Sequence, residues 1–359
     1  MTDRRTFLKK SVAAAAALAS MPTLLEGCAR PVQTPVSGGS LIVPKGMGLP
    51  ITGTFLDEIS HDIPHQNWGA KEWEQDFVYM KAIGIKDVIV IRCGHKKFIT
   101  YPSPHLLQSG CYMPSVDLIE LFCSLADKYD MNFWFGLYDS GVKYPEGAVL
   151  DMEHNKYVIE EVWTRYGHHK SFAGWYLSKE FSNKTDGMIE AYRILGKQCK
   201  ELSGNLPTFI SPYINGKKAV SAFNSKLGKA VGEDITLSEH ERQWNEILDG
   251  IRGYVDACAF QDGHVDYDEL DGFLTINKQL ADRYGIESWT NAESFDRDMP
   301  IKFLPIKFDK LRLKLESARR CGYDKAITFE FSHFMSPQSA YLQAGHLYDR
   351  YAEYFGLNV

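Results

Sequence analysis

The sequence predicts an α/β fold, a single (β/α)8 TIM barrel, and three observations carry that expectation. Short apolar runs alternate with amphipathic stretches, eight times along the chain. Several runs are apolar on both faces, as strands of a parallel barrel wrapped by helices must be. The body from residue 46 to 359 is ~310 residues long, ordinary for one such barrel and large for two small domains. A doubly wound open sheet would alternate in the same way. However, no Gly-x-Gly-x-x-Gly follows the first strand, which counts against its dinucleotide-binding version.

The elements follow in order. The first strand is expected at 51–57, with a helix at 71–83 where Trp73, Phe77, Met80 and Ile83 recur at spacings of four and three. The next strands fall at 87–92, 132–139 and 172–180, with helices at 116–129, 157–166 and 188–201. The second half repeats the pattern, with strands at 208–213, 257–262, 286–293 and 326–332 and helices at 241–251, 268–283, 309–320 and 340–355. The polar stretch 215–239 is long enough to be a lid or an insertion.

The first 28 residues are expected outside the fold. Arg4-Arg5-Thr6-Phe7-Leu8-Lys9 has the pattern of a twin-arginine export signal, and the alanine-rich run after it is too short to span a membrane. Leu24-Leu25-Glu26-Gly27-Cys28 resembles a bacterial lipobox, although Glu26 is not the usual small residue. In that resemblance Cys28 receives the lipid, and the chain is an exported lipoprotein held to the membrane by its anchor alone. Residues 29–45, rich in Pro, Gly, Ser and Val, read as a flexible tether.

A net charge of −6 with no basic patch in the body argues against a nucleic-acid partner. The six cysteines beyond Cys28 have no paired spacing, and Cys123, Cys199 and Cys321 sit among apolar residues in expected helices. They read as small buried hydrophobes rather than a disulfide frame or zinc site.

In a (β/α)8 barrel, function sits where the strands end. Here they end repeatedly in acids: Asp57, Asp139, Glu180, Asp262, Glu293 and Glu330, with Arg92 closing the second strand. Alternation puts Tyr176, Ser178 and Glu180 on the inner face of strand four, and Trp289, Asn291 and Glu293 together on strand seven. On strand eight it sets Ile327, Phe329 and Phe331 toward the helices, turning Thr328, Glu330 and Ser332 inward. Three glutamates then converge, and mutual repulsion would raise some of their pKa values, as acid/base chemistry near neutral pH requires. Glu180, Glu293 and Glu330 are the catalytic candidates. Glutamate is a weak N-cap and costly to bury without a partner. Asp57, Asp139 and Asp262 read more readily as caps or loop anchors than as ligand contacts. Arg92 is a candidate ion-pair partner. Tyr138, Tyr176, Trp289 and Trp68 are candidate sugar-stacking surfaces, with plain core packing the alternative for each.

The lipoprotein-type start, Gly53-Thr54-Phe55-Leu56-Asp57 and Trp175-Tyr176-Leu177-Ser178-x-Glu180 together resemble a bacterial family known as a domain of unknown function within the TIM-barrel glycosidase superfamily. A wider similarity is to the large clan of retaining glycosidases with catalytic glutamates on strands four and seven. This implies Glu180 as acid/base and Glu293 as nucleophile. The sequence departs from that clan at Lys179, where an Asn normally contacts the sugar 2-hydroxyl.

The expectation is a glycoside hydrolase acting on a poly- or oligosaccharide, with Asp57, Arg92, Tyr138, Asp139, Tyr176, Asp262, Trp289 and Asn291 binding substrate, and with no cofactor or metal. The alternative is a non-catalytic glycan-binding lipoprotein on the same scaffold. A third reading is a metal-dependent hydrolase using His61, His65, His95, His264, Asp57 and Asp62. No His-x-His ends strand one, which disfavours it.

Overall fold

A computed structural model describes residues 47–60, 63–143, 146–220, 234–297 and 303–359. The expected signal at 1–28 with Cys28, and the tether at 29–45, lie outside the described residues.

Eight strands close into an all-parallel barrel. They are β1 (Ile51–Leu56), β2 (Asp87–Val90), β3 (Asn132–Gly136), β4 (Phe172–Tyr176), β5 (Thr208–Ile210), β6 (Ala257–Gln261), β7 (Glu287–Asn291) and β8 (Lys325–Thr328). Each pairs with its neighbours in sequence, and β8 returns to β1. The connecting helices are α1 (Ala70–Ala82), α2 (Leu118–Tyr129), α3 (Glu146–Tyr166), α4 (Met188–Leu202), α5 (Leu237–Ile251), α6 (Leu270–Tyr284), α7 (Phe308–Arg320) and α8 (Leu342–Phe355). The expected (β/α)8 order is the observed one.

Two of these helices, α2 and α5, begin where a side chain satisfies a free amide. Asp117 caps α2 by accepting from the Glu120 amide at 3.0 Å, and Thr236 caps α5 by accepting from Glu239. Helix α3 is twice as long as expected. Its first turns carry no apolar stripe, because Asp151 and Asn155 face inward to hydrogen-bond the loop after β3.

Two apolar clusters divide the interior. The larger lies between strands and helices. The smaller fills the barrel, and every strand contributes to it: Phe55, Ile89, Trp134, Tyr176, Phe209, Ala257 and Ala259, Trp289 and Ile327. Its rings form a continuous stack. Tyr176 lies 4.7 Å from Phe209, Phe209 5.2 Å from Trp289, and Trp289 5.5 Å from Trp134. Gly174 makes room for this packing, since a Cβ there would fall 2.3 Å from the Trp134 ring. Burying each large ring contributes roughly 1.5–3 kcal/mol.

Ile327 within this cluster corrects the expectation for β8. Ile327 and Phe329 face the barrel interior, while Ala326 and Phe331 pack outward. Alternation could not reveal the phase, because the barrel interior is itself apolar and takes Ile327 and Phe329 as readily as the helix layer would.

Beyond the mouth of the barrel, two short strands form a hairpin, Gly94–His95 with Phe98–Ile99, and Tyr138–Asp139 adds to it in parallel. Among the described residues no helix is long and apolar enough to cross a membrane. The six cysteines after Cys28 are free thiols, with Cys123 and Cys199 buried and Cys321 half-buried.

Candidate active site

Glu180 follows β4 by four residues and is half-buried at the C-terminal mouth. Its Oε1 accepts a hydrogen bond from the Tyr176 hydroxyl at 3.1 Å. The Tyr176 ring belongs to the barrel stack, so the stack fixes the hydroxyl that holds the acid. From the helix side, the Tyr192 hydroxyl of α4 donates to the Lys179 carbonyl at 2.6 Å and steadies the turn. Burial pushes the Glu180 carboxyl above its ordinary range. Arg92, the Tyr176 hydroxyl and Arg297 pull it down, and the charge of Glu293 adds to the rise.

Glu293 follows β7 by two residues and is 2% exposed. Arg297 grips it twice, Nε to Oε2 at 2.7 Å and Nη2 to Oε1 at 2.9 Å. Burial alone would raise this carboxyl, but Arg297, Lys314 and His264 outweigh it and hold Glu293 below the ordinary range. Gly263 permits the arrangement, since a Cβ there would fall 1.7 Å from Glu293 Oε2.

Arg92 and Asp139 pair across the ends of the adjacent strands β2 and β3. Arg92 Nη1 donates to Asp139 Oδ2 at 3.2 Å. Burial lowers the Arg92 pKa, but the charges of Glu180, Asp139 and Asp57 outweigh it and leave the guanidinium firmly protonated. Asp139 also takes Lys179 Nζ on Oδ1 at 2.8 Å, and His95 Nδ1 lies 3.5 Å from Oδ2. Burial acts against the charge on Asp139, yet His95, Lys179 and Arg92 together hold its carboxyl well below the usual range. Lys179, which stands where the glycosidase clan has Asn, also pairs with Asp151 at 3.1 Å.

Among the described residues, the buried atoms Asp57 Oδ2, Arg92 Nε and Asn291 Oδ1 near the mouth have no hydrogen-bond partner. Their other atoms are held firmly. Asp57 Oδ1 accepts from the amides of Ile59 and Ser60 at 2.9 Å, and Asn291 Nδ2 donates to Ser211 Oγ at 3.1 Å. Leaving a buried polar atom unsatisfied costs about 1–3 kcal/mol, so each is a candidate contact for a sugar hydroxyl.

Other candidates take structural places. Glu330 is fully buried and caps the short helix Phe331–Phe334. Its Oε2 accepts from the Ser332 amide at 3.0 Å, and Oε1 from the His333 amide and from His333 Nδ1, both at 2.7 Å. The expectation that a glutamate would not serve as an N-cap fails here, because the adjacent histidine completes the shell. Asp262 does not open to the mouth. It is 2% exposed, with Lys314 of α7 on Oδ1 at 2.8 Å and the Glu293 amide on the same oxygen at 3.1 Å.

Trp289 lies deep in the barrel, toward the strands' N-terminal ends. Its Nε1 donates to Glu287 at 3.0 Å, and Lys325 Nζ sits 3.7 Å over its ring. Tyr176 likewise offers its hydroxyl rather than a ring face. Tyr138 is buried under the hairpin, donating to the Lys96 carbonyl at 2.6 Å. Trp68 is half-buried edge-on to Trp73 at 5.1 Å.

The sequence reading did not single out Arg297, Lys314, Ser211 or Gly263. The one signal for Arg297 is a cation four residues after Glu293, in a loop where no periodicity marks its direction. As to metal ligands, no three His, Cys, Asp or Glu side chains converge among the described residues. His61 and Asp62 lie outside them.

The closed parallel barrel, with Glu180 and Glu293 after its fourth and seventh strands, has the architecture of the TIM-barrel glycosidase superfamily. More narrowly, the chain belongs to the family described as "Domain of unknown function (DUF4434)", whose profile matches residues 51–341. It is similar to the crystal structure of a candidate alpha-L-fucosidase from Bacteroides thetaiotaomicron VPI-5482. The identity is 66% and the TM-score 0.83, over 89% of this chain and 100% of the other. A structure named only as a glycoside hydrolase matches at 12% identity and a TM-score of 0.54, over 89% of this chain and 73% of the other, a likeness of fold alone. No curated protein matches.

Proposed function

We propose that this chain is an exported, lipid-anchored glycoside hydrolase, with Glu180 as general acid and Glu293 as the ionised partner. One observation carries the reading: the two carboxyls are displaced in opposite directions, Glu180 upward and Glu293 downward. A carboxyl biased toward its protonated form together with one biased toward its ionised form is the division of labour glycosidic cleavage needs.

In this scheme Glu180 protonates the leaving glycosidic oxygen as its bond to the anomeric carbon breaks. Glu293 attacks that carbon, or draws a proton from a water that does. Where Glu293 attacks, water then displaces it from the anomeric carbon, giving its proton to Glu180 and freeing the Glu293 carboxylate; where Glu293 activates the water, it keeps that water's proton until solvent exchange returns one to Glu180. A carboxyl separation of about 5 Å would give retention, and about 6.5–9.5 Å inversion. Asp57, Arg92 and Asn291 are assigned to the sugar hydroxyls. The similarity to the candidate fucosidase makes an α-L-fucoside the first substrate to try. Arg4-Arg5 and Cys28 support export and lipidation.

The test is release of sugar from aryl glycosides, p-nitrophenyl α-L-fucoside first, by the wild type and by Glu180→Gln. Turnover lost in the variant supports the assignment, and turnover kept removes Glu180 as the acid. Glycan binding without any turnover supports instead a binding protein, for which the firm Arg297 grip on Glu293 is the favouring feature. Incorporation of labelled lipid, absent in Cys28→Ser, tests the anchor.

A further inference from the structure

The small sheet beyond the mouth has two unlike faces. Cross-strand partners project to the same side. Gly94, Ile99 and Tyr138 share the buried side, where a Cβ on Gly94 would meet Tyr138 at 2.7 Å and Ile99 at 2.9 Å. The other side carries Phe98, His95 and Asp139 in one row, by the pairings His95 with Phe98 and His95 with Asp139. Phe98 and Asp139 are thus two strand spacings apart, about 10 Å. Asp139 binds Arg92, whose charge acts on Glu180. The row runs from Asp139, the partner of Arg92, outward to an exposed aromatic ring.

That ring has company. Tyr112 lies 5.4 Å from Phe98 with the planes at 69°, and its backbone is tied to the hairpin by the Tyr112 amide donating to the Lys97 carbonyl at 2.8 Å. Phe98 is 61% exposed and Tyr112 55%, so both have free ring area while their positions are fixed. Lys97 Nζ stands 5.9 Å over the Tyr112 ring, adding a donor beside the apolar faces. Fixed, exposed aromatic faces next to a donor suit the apolar face and hydroxyl rim of a pyranose ring.

We infer that Phe98 and Tyr112 form an outlying platform that seats a further sugar of an oligosaccharide whose reacting end lies at Glu180. The occupant is the substrate chain itself, because the platform shares its face with the residues leading to the acid. The direction of that chain rests on the glycosidase reading; the binding does not.

The experiment probes an array of oligosaccharides of three or more sugars with wild type, Glu180→Gln and the Phe98→Ala/Tyr112→Ala double variant, each matched for thermal melting. The expected result is binding by wild type and Glu180→Gln, weakened about tenfold or more in the double variant. Turnover of an aryl monoglycoside, too short to reach the platform, stays unchanged in that variant. Equal binding by the double variant overturns the platform, and so does the absence of any bound oligosaccharide, whatever the monoglycoside assay shows. Concentration-dependent self-association of the wild type, abolished in the double variant, would assign the patch to a second copy and overturn it as well. Loss of monoglycoside turnover in Glu180→Gln alone bears only on the catalytic reading, so the two can fail separately.

Discussion

Arg297 closes on Glu293 with two hydrogen bonds, 2.7 Å from Nε and 2.9 Å from Nη2, over a carboxylate that is 2% exposed. Removing the guanidinium leaves a buried charge with its main counter-ion gone. Arg297→Met should raise the Glu293 pKa, moving the acid limb of the pH–rate profile to higher pH. It should also cost about 2–3 kcal/mol, less than the about 3–5 of a wholly buried pair because Arg297 is one-quarter exposed. The folded-state pKa of Glu293 lies below its ordinary value, so its stabilisation is present above that value and is lost as pH falls through the folded one. Acid denaturation curves of the variant should lack that contribution.

Glu180 gives the opposite limb. As the proposed acid it must hold its proton, so the rate should fall as pH rises through its elevated pKa, while ionisation of Glu293, the proposed partner, should set the fall on the acid side. Glu180→Gln should abolish the basic limb and lower kcat by about 10²–10⁴-fold, with a smaller loss on substrates with good leaving groups. A profile whose basic limb survives in Glu180→Gln would place the proton elsewhere.

Asp262 should matter to stability rather than to substrate. Asp262→Asn leaves Lys314 buried with a weakened partner, and chemical denaturation should register about 3 kcal/mol of loss with KM little changed. The Asp262→Leu/Lys314→Met pair should recover much of it, since apolar replacement of a buried ion pair is often neutral.

Glu330 and His333 predict a slope on the alkaline side. Burial works against the imidazolium, but Glu330 outweighs it and His333 is raised to about 9. Its contribution, about 3 kcal/mol, is therefore complete below about 6.5 and lost as pH rises through about 9. Urea midpoints measured from pH 6.5 to 9.5 should fall in wild type and stay flatter in Glu330→Gln. Asp76, raised to about 7 by burial, acts mostly below this window.

Much of this was legible in the sequence. All eight strands and their order could be read, because parallel strands covered on both sides stand out as apolar runs between amphipathic ones. The inward phase of β4 was also legible, since Trp175 and Leu177 fill the helix-facing layer while Tyr176 turns in. The phase of β8 was not, because Ile327 and Phe329 are as apolar inside the barrel as they would be outside it. The partners of the acids were the least legible. Glu330, Asp262 and Glu293 look alike as letters, and only the third dimension reveals that they meet His333, Lys314 and Arg297 respectively.

The aromatic column inside the barrel has a consequence for how this protein can change. Tyr176 is both a member of the column and the support of Glu180, so the two cannot drift independently. A substitution at Phe209, or deeper at Trp134, should disturb the ring whose hydroxyl holds Glu180. Phe98 on the hairpin and Tyr112 tied to it carry no such obligation. Variation among relatives, or effort in the laboratory, can therefore remodel what the mouth reaches while the column keeps a common origin from which the chemistry is measured.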